Sequence, residues 1–121
     1  MKNPIIKVYQ YSGCSTCRKA IQFLTKSKIQ FESIPIRETP PKVAELKKAK
    51  HSLGDIKKLF NTSGNDYREG NWKEKINVIS EEDAFKAMSN NGNLVKRPFV
   101  VLPESVLVGF KEDEWKKIFK S

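Results

Sequence analysis

The sequence predicts an α/β fold in which a β-α-β unit and a β-β-α unit flank a helical middle around a mixed four-stranded sheet. Alternating, β-branched runs occur at both ends of the chain, and a segment with helical spacing separates the first two of them. The middle carries helical patterns. A length of 121 residues suits one domain with its own core. We therefore expect a single domain over 1–121 with a helical insertion over about 40–92.

The N-terminal third predicts the β-α-β unit. Residues 5–11 alternate as a strand, residues 15–26 place apolar side chains, including Cys17, at helical spacing, and residues 30–36 alternate again. Pro35 cannot donate to a ladder, so it predicts an edge position for the second strand or an early end to its ladder. A strand, helix and strand of this length indicate a right-handed parallel unit.

The middle predicts helices. Thr39 is a candidate N-cap, and Pro40 then occupies the first helical position. Apolar stripes on either side of Gly54 favour two short helices over one long helix. Residues 61–79 predict a turn-rich loop followed by irregular structure.

The last third begins with a helix that starts at Ser80 and ends near Asn91. Residues 97–102 and 106–110 predict an antiparallel hairpin. A last helix, 112–119, places three side chains on one inward face: Trp115, Ile118 and Phe119. The complete order is that of a thioredoxin-like fold with a helical insertion.

The net charge of +9 lies entirely in the first half. Residues 1–60 hold 13 Lys and Arg against 4 Asp and Glu, whereas residues 61–121 hold 10 of each. Such a half attracts anionic substrates or an acidic protein surface, and it helps to keep a nearby thiolate ionised. A solvated lysine face is the alternative. No aromatic residues interleave with the lysines of 42–58, so we do not expect direct nucleic-acid binding.

No stretch approaches the roughly 18 apolar residues of a membrane span, and the first residues are too short an apolar run for a signal peptide. We therefore expect a cytoplasmic protein without membrane contact, and nothing in the sequence calls for more than a monomer. In a reducing cytosol, neighbouring cysteines serve catalysis, redox sensing or metal binding more often than structural cross-linking.

The two cysteines of the chain form a Cys-x-x-Cys motif where the first strand meets the first helix. Cys14 would lie near free backbone N–H groups and the positive end of the helix dipole, which favour the thiolate. Arg18 and Lys19 add positive charge on the first turn. We predict that Cys14 attacks and that Cys17, facing inward, resolves the resulting mixed disulfide.

Other interpretations of these residues stay open. A structural zinc site needs four ligands, and beside the two cysteines the sequence offers His51, which is more typical of a solvent-facing helix end. Two unreactive, half-buried thiols are a further alternative. Pro98 is a candidate cis proline or an ordinary strand-opening proline, and Arg97 is a candidate anion or thiolate partner or a surface arginine.

Three segments, YSGCSTCRKA at 11–20, RPFVV at 97–101 and VGF at 108–110, together resemble the arsenate reductase (ArsC)/Spx/MgsR family. The resemblance covers nearly the whole chain. It implies a thioredoxin-like fold with an inserted helical region and a catalytic or sensing cysteine at Cys14. It also implies a cis proline at Pro98 beside that cysteine and active-site positions for Arg18 and Arg97.

The glutathione/glutaredoxin-coupled arsenate reductases of this family hold the oxyanion with three arginines. By resemblance, Arg97 occupies one of these positions, Asn61 and Gly109 fall at the other two, and Arg68 is a candidate substitute. Two missing charge-assisted donors weaken oxyanion binding, at about 1.5–3 kcal/mol each.

The Cys-x-x-Cys form is similar to the Spx/MgsR branch, where the pair is a disulfide switch and the protein binds the C-terminal domain of the RNA polymerase α subunit. Gly54 lies roughly where that branch has a glycine in its polymerase contact surface, although a glycine that joins two helices is the simpler explanation.

The sequence therefore predicts a cytoplasmic thiol-redox protein that cycles between dithiol and disulfide at Cys14 and Cys17. We expect no bound cofactor, and thioredoxin or glutathione with glutaredoxin as electron donor. A redox-sensing transcription regulator is the alternative, and a true arsenate reductase is the weaker one.

Overall fold

The computed structural model describes residues 6–119, so Ile5 of the predicted first strand lies outside the described part. The elements are β1 (Ile6–Gln10), α1 (Ser15–Lys26), β2 (Phe31–Pro35), α2 (Val43–Leu53), a 3₁₀ helix (Ile56–Leu59), α3 (Asn65–Glu69), α4 (Trp72–Lys75), α5 (Glu81–Asn90), a second 3₁₀ helix (Gly92–Leu94), β3 (Phe99–Val101), β4 (Val106–Val108) and α6 (Glu112–Ile118). Across 6–119, no helix has the length and apolar character that a membrane crossing needs.

The strands form one sheet in the order β2-β1-β3-β4. β2 runs parallel to β1, whereas β3 is antiparallel to both β1 and β4. The predicted mixed four-stranded sheet is therefore confirmed. β2 lies at the edge, as Pro35 at its end predicts.

Successive residues of the two central strands face opposite layers of the molecule. Val8 and Val100 pack with α1 and with Trp115 of α6 on one face. Tyr9 and Phe99 pack against the helical middle on the other face. This alternation follows from the two-residue period of a strand, and it explains why both sets of side chains are buried.

Helix α2 begins at Val43, so the predicted N-cap at Thr39 is wrong. The reason lies in Glu45, whose Oε1 accepts the backbone N–H of Lys42 at 3.0 Å and the buried Tyr9 hydroxyl at 2.7 Å. This carboxylate satisfies the helix start and joins it to the sheet. The bond to Lys42 is local, but Lys42 is not among the residues that usually cap a helix, and the bond to Tyr9 joins residues far apart in sequence, so capping preferences do not predict this start.

Residues 61–79 contain the short helices α3 and α4 where the sequence predicts irregular structure. Gly70 and Asn71 separate the two helices, and Asn71 has a φ of 55°. Helices of five and four residues are too short to show an amphipathic period. Contact with the core fixes α4, because the rings of Phe60 and Trp72 lie 5.3 Å apart.

Helix α6 buries Trp115 as predicted, but Ile118 is 45% exposed, so its predicted inward position is wrong. Trp115 meets Phe23 of α1 and Phe110 edge-on, at centroid distances of 5.9 and 4.8 Å. Phe119 contacts both Phe23 and Trp115. These rings fill the space beneath the short helix and leave Ile118 at its margin.

Candidate active site

Cys14 lies where the loop after β1 enters α1, and it is the N-cap of that helix. Its Sγ accepts the backbone N–H of Cys17 at 3.3 Å, and its own N–H donates to the Tyr11 carbonyl at 3.0 Å. A sulfur in place of the usual capping oxygen therefore satisfies one of the free N–H groups of the helix. The side chain is half-buried, which leaves it within reach of a substrate.

Cys17 lies one turn further along, where its side chain is fully buried. Burial raises the pKa of its thiol to about 12, and the hydrogen bond that this thiol donates to Cys14 adds to the rise. The negative charge of Cys14 acts in the same direction. Cys17 therefore keeps its proton at neutral pH while both cysteines are reduced.

The pKa of Cys14 is lowered. Partial burial opposes this, but the thiol and backbone N–H of Cys17, the positive charge of Arg97 and the N–H of Thr16 together outweigh it. Each of these groups stabilises the thiolate over the thiol. The two thiols thus differ: the surroundings of Cys14 favour its thiolate, the form in which a cysteine can act as a nucleophile, and Cys17 is its hydrogen-bond donor.

The Arg97–Pro98 peptide bond is cis, as the resemblance implies. Pro98 is fully buried, and its carbonyl accepts the Gly109 N–H at 2.9 Å. The Arg97 guanidinium lies over the Tyr11 ring at 5.1 Å from its centroid. Its Nη1 is buried and has no hydrogen-bond partner among residues 6–119. This arginine thus places positive charge beside Cys14 and retains an unused donor.

Arg18 is exposed on the first turn of α1. Its Nη1 donates to the Ser12 carbonyl at 2.8 Å, so its hydrogen bond goes to the loop that carries Cys14. The sequence predicted a thiolate or anion partner here. The observed contact is that of a residue that holds the loop in position.

Arg68, the candidate substitute for a missing oxyanion ligand, binds within its own segment. It donates to the Ser63 carbonyl at 2.8 Å and to the side chain of Asn65. Asn61 likewise donates to the Asn93 carbonyl at 3.3 Å. Gly109, at the third position, has a φ of 71°, which suits glycine on conformational grounds.

Gly54 ends α2 with a φ of 86°, in the left-handed region that glycine adopts without strain. A side chain built there would meet nothing within 4 Å. The helix end by itself therefore explains the glycine. His51 is an exposed residue of the last turn of the same helix, as its sequence position predicts.

Two residues of the site were missed by the sequence reasoning, Tyr11 and Arg37. The Arg37 guanidinium lies 5.0 Å from the centroid of the Tyr11 ring, which Arg97 also approaches. Their place in the sequence could have indicated them, because Tyr11 comes directly after β1 and Arg37 comes shortly after β2. Ligands of open α/β sheets bind outside the carboxyl ends of parallel strands.

The described part of the chain does not offer the ligands of a metal centre. Within 6–119, no group of three or more His, Cys, Asp or Glu side chains is arranged to hold a metal ion.

Comparison with known proteins identifies the family. The sequence profile of the ArsC family matches residues 9–118. The chain is 44% identical over 110 residues to the uncharacterized protein YusI of Bacillus subtilis, and the aligned region covers 90% of this chain and 93% of YusI. The global transcriptional regulator Spx of Enterococcus faecalis is 25% identical over 111 residues, covering 91% of this chain and 83% of Spx.

A solved structure agrees with these sequence matches. The crystal structure of an ArsC family related protein from Bacteroides fragilis superimposes with a TM-score of 0.87 at 40% identity, covering 97% of this chain and 99% of that chain. The thioredoxin-like fold and the resemblance predicted from the sequence are both confirmed. Because the family profile spans nearly all of the sequence, the chain belongs to the ArsC family.

Proposed function

We propose that the protein is a thiol-redox protein in which Cys14 attacks a disulfide or an equivalent oxidised substrate and Cys17 resolves the adduct. The observation that carries this proposal is that the pKa values of the two thiols are shifted in opposite directions. The Cys14 pKa is lowered, the Cys17 pKa is raised to about 12, and a 3.3 Å hydrogen bond links the two residues.

The cycle balances without a bound cofactor. The Cys14 thiolate forms a bond to one substrate sulfur, the substrate S–S bond breaks, and the departing thiolate takes a proton from solvent. Cys17 then gives its proton to solvent and attacks the Cys14 sulfur, so that the bond between Cys14 and the substrate sulfur breaks and the second substrate thiolate leaves and is protonated. The protein ends with one disulfide after two electrons have passed to the substrate.

Bonding at Cys14 prepares the second step. The adduct removes the negative charge of Cys14, which is one cause of the raised Cys17 pKa. Cys17 therefore ionises more readily after the first step than before it. We propose thioredoxin, or glutathione with glutaredoxin, as the reductant that restores the dithiol in the cytoplasm.

The test is a stoichiometric reaction of the reduced protein with a neutral disulfide, bis(2-hydroxyethyl) disulfide. We expect two thiols released per protein and a Cys14–Cys17 disulfide identified by mass spectrometry. Cys17→Ser should stop at a mixed disulfide on Cys14 after releasing one thiol, whereas Cys14→Ser should release none. Equal thiol release from the wild type and Cys14→Ser would refute the assigned roles.

A regulator that binds the RNA polymerase α subunit is the second candidate, and the similarity to Spx favours it. The exposed Gly54 offers a matched variant, because asparagine tolerates the left-handed conformation but adds a side chain to an open surface. We expect capture of the α C-terminal domain to depend on the redox state and to be weakened in Gly54→Asn. Absence of capture in both redox states would exclude this candidate.

A true arsenate reductase is the weaker candidate, supported by family membership, the Cys14 nucleophile and the free Nη1 of Arg97. Arsenate should then drive oxidation of a thioredoxin or glutaredoxin system, and Cys14→Ser should abolish it. If arsenate drives no oxidation while disulfides still oxidise Cys14 and Cys17, the first proposal stands and this one is excluded.

A further inference from the structure

Three separate segments place a cluster of one aromatic and two cationic side chains beside Cys14. Tyr11 follows β1, Arg37 follows β2, and Arg97 precedes β3. β1 and β2 are parallel and β3 is antiparallel to β1, so these three positions lie at one edge of the sheet. Side chains from this edge can act on one ligand.

The two guanidinium groups share a single aromatic ring. Their Cζ atoms lie 5.0 Å (Arg37) and 5.1 Å (Arg97) from the Tyr11 centroid, so they can be no further apart than the sum of these distances. Each is stabilised by the face of the ring, but the two positive charges repel one another. A bound anion would remove this repulsion.

No side chain of 6–119 supplies that anion. Neither arginine makes an ion pair in this range, and Nη1 of Arg97 is buried without a partner. The pKa of Asp66 is lowered mainly by the side-chain amides of Asn91 and Asn93, which donate to its carboxylate at 2.9 and 3.3 Å, and the charge of Arg37 makes the smallest contribution. The two amides, rather than Arg37, therefore hold this carboxylate.

The cluster adjoins the nucleophile. The Tyr11 carbonyl accepts the Cys14 N–H at 3.0 Å, and the Tyr11 ring packs so closely on Gly13 that a Cβ there would lie 2.6 Å from it. Arg97 also contributes to the lowered pKa of Cys14. An anion bound to these guanidinium groups therefore lies at the same edge of the sheet as Cys14, and their positive charge offsets its repulsion by the thiolate.

We propose that Arg37 and Arg97 bind a carboxylate of the substrate, and that the protein selects small disulfides whose thiol halves carry a free carboxylate a few bonds from sulfur. This inference rests on the proposed thiol-redox function. A carboxylate tethered to the reacting sulfur keeps its charge away from Cys14 while it pairs with the guanidinium groups. The bonds that form and break are those of the cycle above.

The test compares two disulfides of similar size with the reduced protein at equal ionic strength: 3,3′-dithiodipropionate, which carries two carboxylates, and bis(2-hydroxyethyl) disulfide, which is neutral. The readout is the ratio of the rate constants with which the two disulfides oxidise the protein. Each rate constant is measured by quenching samples with acid at successive times and determining the oxidised fraction by mass spectrometry. We expect a ratio above one in the wild type and a fall of about tenfold in Arg37→Gln, the scale of one charge-assisted contact.

Lys26→Gln is the matched control, because it removes the same charge from an exposed position in the last turn of α1. We expect its ratio to equal that of the wild type, and Arg37→Lys to lie between Arg37→Gln and the wild type. A ratio near one in the wild type, or equal losses in Arg37→Gln and Lys26→Gln, would overturn the carboxylate site. Oxidation by the neutral disulfide would still support the proposed function.

If neither disulfide oxidises the protein, the proposed thiol-redox function is refuted. A binding experiment then tests the carboxylate site separately from that function. The unreactive probe 3-(methylthio)propionate is titrated while the side-chain Nε–H resonances of Arg37 and Arg97 are followed by NMR. Saturable shifts of both resonances in the wild type, and a weaker apparent affinity reported by the Arg97 resonance in Arg37→Gln, support the carboxylate site. No shift, or a response to inorganic phosphate alone, overturns it.

Discussion

The backbone N–H of Cys17 donates to the sulfur of Cys14 across 3.3 Å, while the Cys17 side chain is completely buried. Cys17 thus donates a hydrogen bond to Cys14 through its backbone and keeps its own thiol in the core. The asymmetry of the pair follows from this arrangement, because exposure and donor groups favour ionisation at one sulfur only.

Alkylation should separate the two thiols. We expect iodoacetamide to label Cys14 in the folded protein at a pH where an unstructured thiol is mostly protonated, because its lowered pKa preserves the thiolate. Cys17 should stay unlabelled under these conditions. Peptide-resolved mass spectrometry over a pH series measures both rates, and protein unfolded in urea is the control in which the two cysteines react alike. Slow labelling of Cys14 at all pH values would contradict its activation.

Removal of the Arg97 charge should raise the Cys14 pKa. In Arg97→Gln we expect the pH profile of Cys14 alkylation to move upward and the rate near pH 7 to fall several-fold, with Arg97→Lys intermediate. Lys26→Gln is the matched control, because it removes the same charge from an exposed position in the last turn of α1. A larger effect of Lys26→Gln than of Arg97→Gln would contradict the electrostatic assignment.

The buried thiol should make stability fall at alkaline pH. Between about 8.5, the pKa of an unfolded cysteine, and about 12, the folded protein retains a Cys17 proton that the unfolded chain has lost. The contribution of the protonated Cys17 thiol to the free energy of unfolding is full below this pH range. It declines as pH rises through the range, by up to about 1.4 kcal/mol per pH unit.

Urea unfolding of the reduced protein from pH 8 to 10.5 measures this effect as the difference between the wild type and Cys17→Ala. We expect the free energy of unfolding to fall less steeply in the variant. Tyr9, whose pKa is also raised by burial, titrates in the same direction and leaves a residual slope in both proteins. Parallel profiles would show that Cys17 is not the group responsible.

Gly92 should tolerate no side chain. A Cβ at this position would lie 1.9 Å from the carbonyl oxygen of Ile36, the residue that follows β2. We expect Gly92→Ala to lower the free energy of unfolding by about 3 kcal/mol or more. Gly64→Ala is the comparison, because its Cβ would meet the movable amide of Asn61 at 2.7 Å. Equal, small losses on chemical denaturation would refute the close backbone contact.

Local patterns predicted most of the fold. The spacing of α1, the alternation of the strands and the N-cap at Ser80, whose Oγ accepts the Asp83 N–H at 3.1 Å, are all properties of neighbouring residues. The start of α2 was missed because its N-cap is Lys42, which is not a usual capping residue, and because the carboxylate of Glu45 that satisfies it is also held by Tyr9, which meets it only in the folded chain.

The site divides in the same way. Cys14 and Cys17 were identifiable from a motif and its placement, since the helix start that acts on them lies in the same segment. Arg37 gave no such signal. Its relation to Tyr11 and Arg97 arises from the parallel pairing of β1 with β2 and the antiparallel pairing of β1 with β3. Long-range strand order, rather than local spacing, assembles the cationic part of the site.

The capping role of Cys14 links sulfur chemistry to the shape of the protein. A thiolate is a strong acceptor for the N–H groups at the start of α1, whereas a disulfide sulfur is neutral and accepts weakly. In the proposed cycle, formation of a disulfide therefore weakens this cap, and we expect the backbone amides at the start of α1 to exchange with solvent faster in the oxidised protein than in the reduced protein.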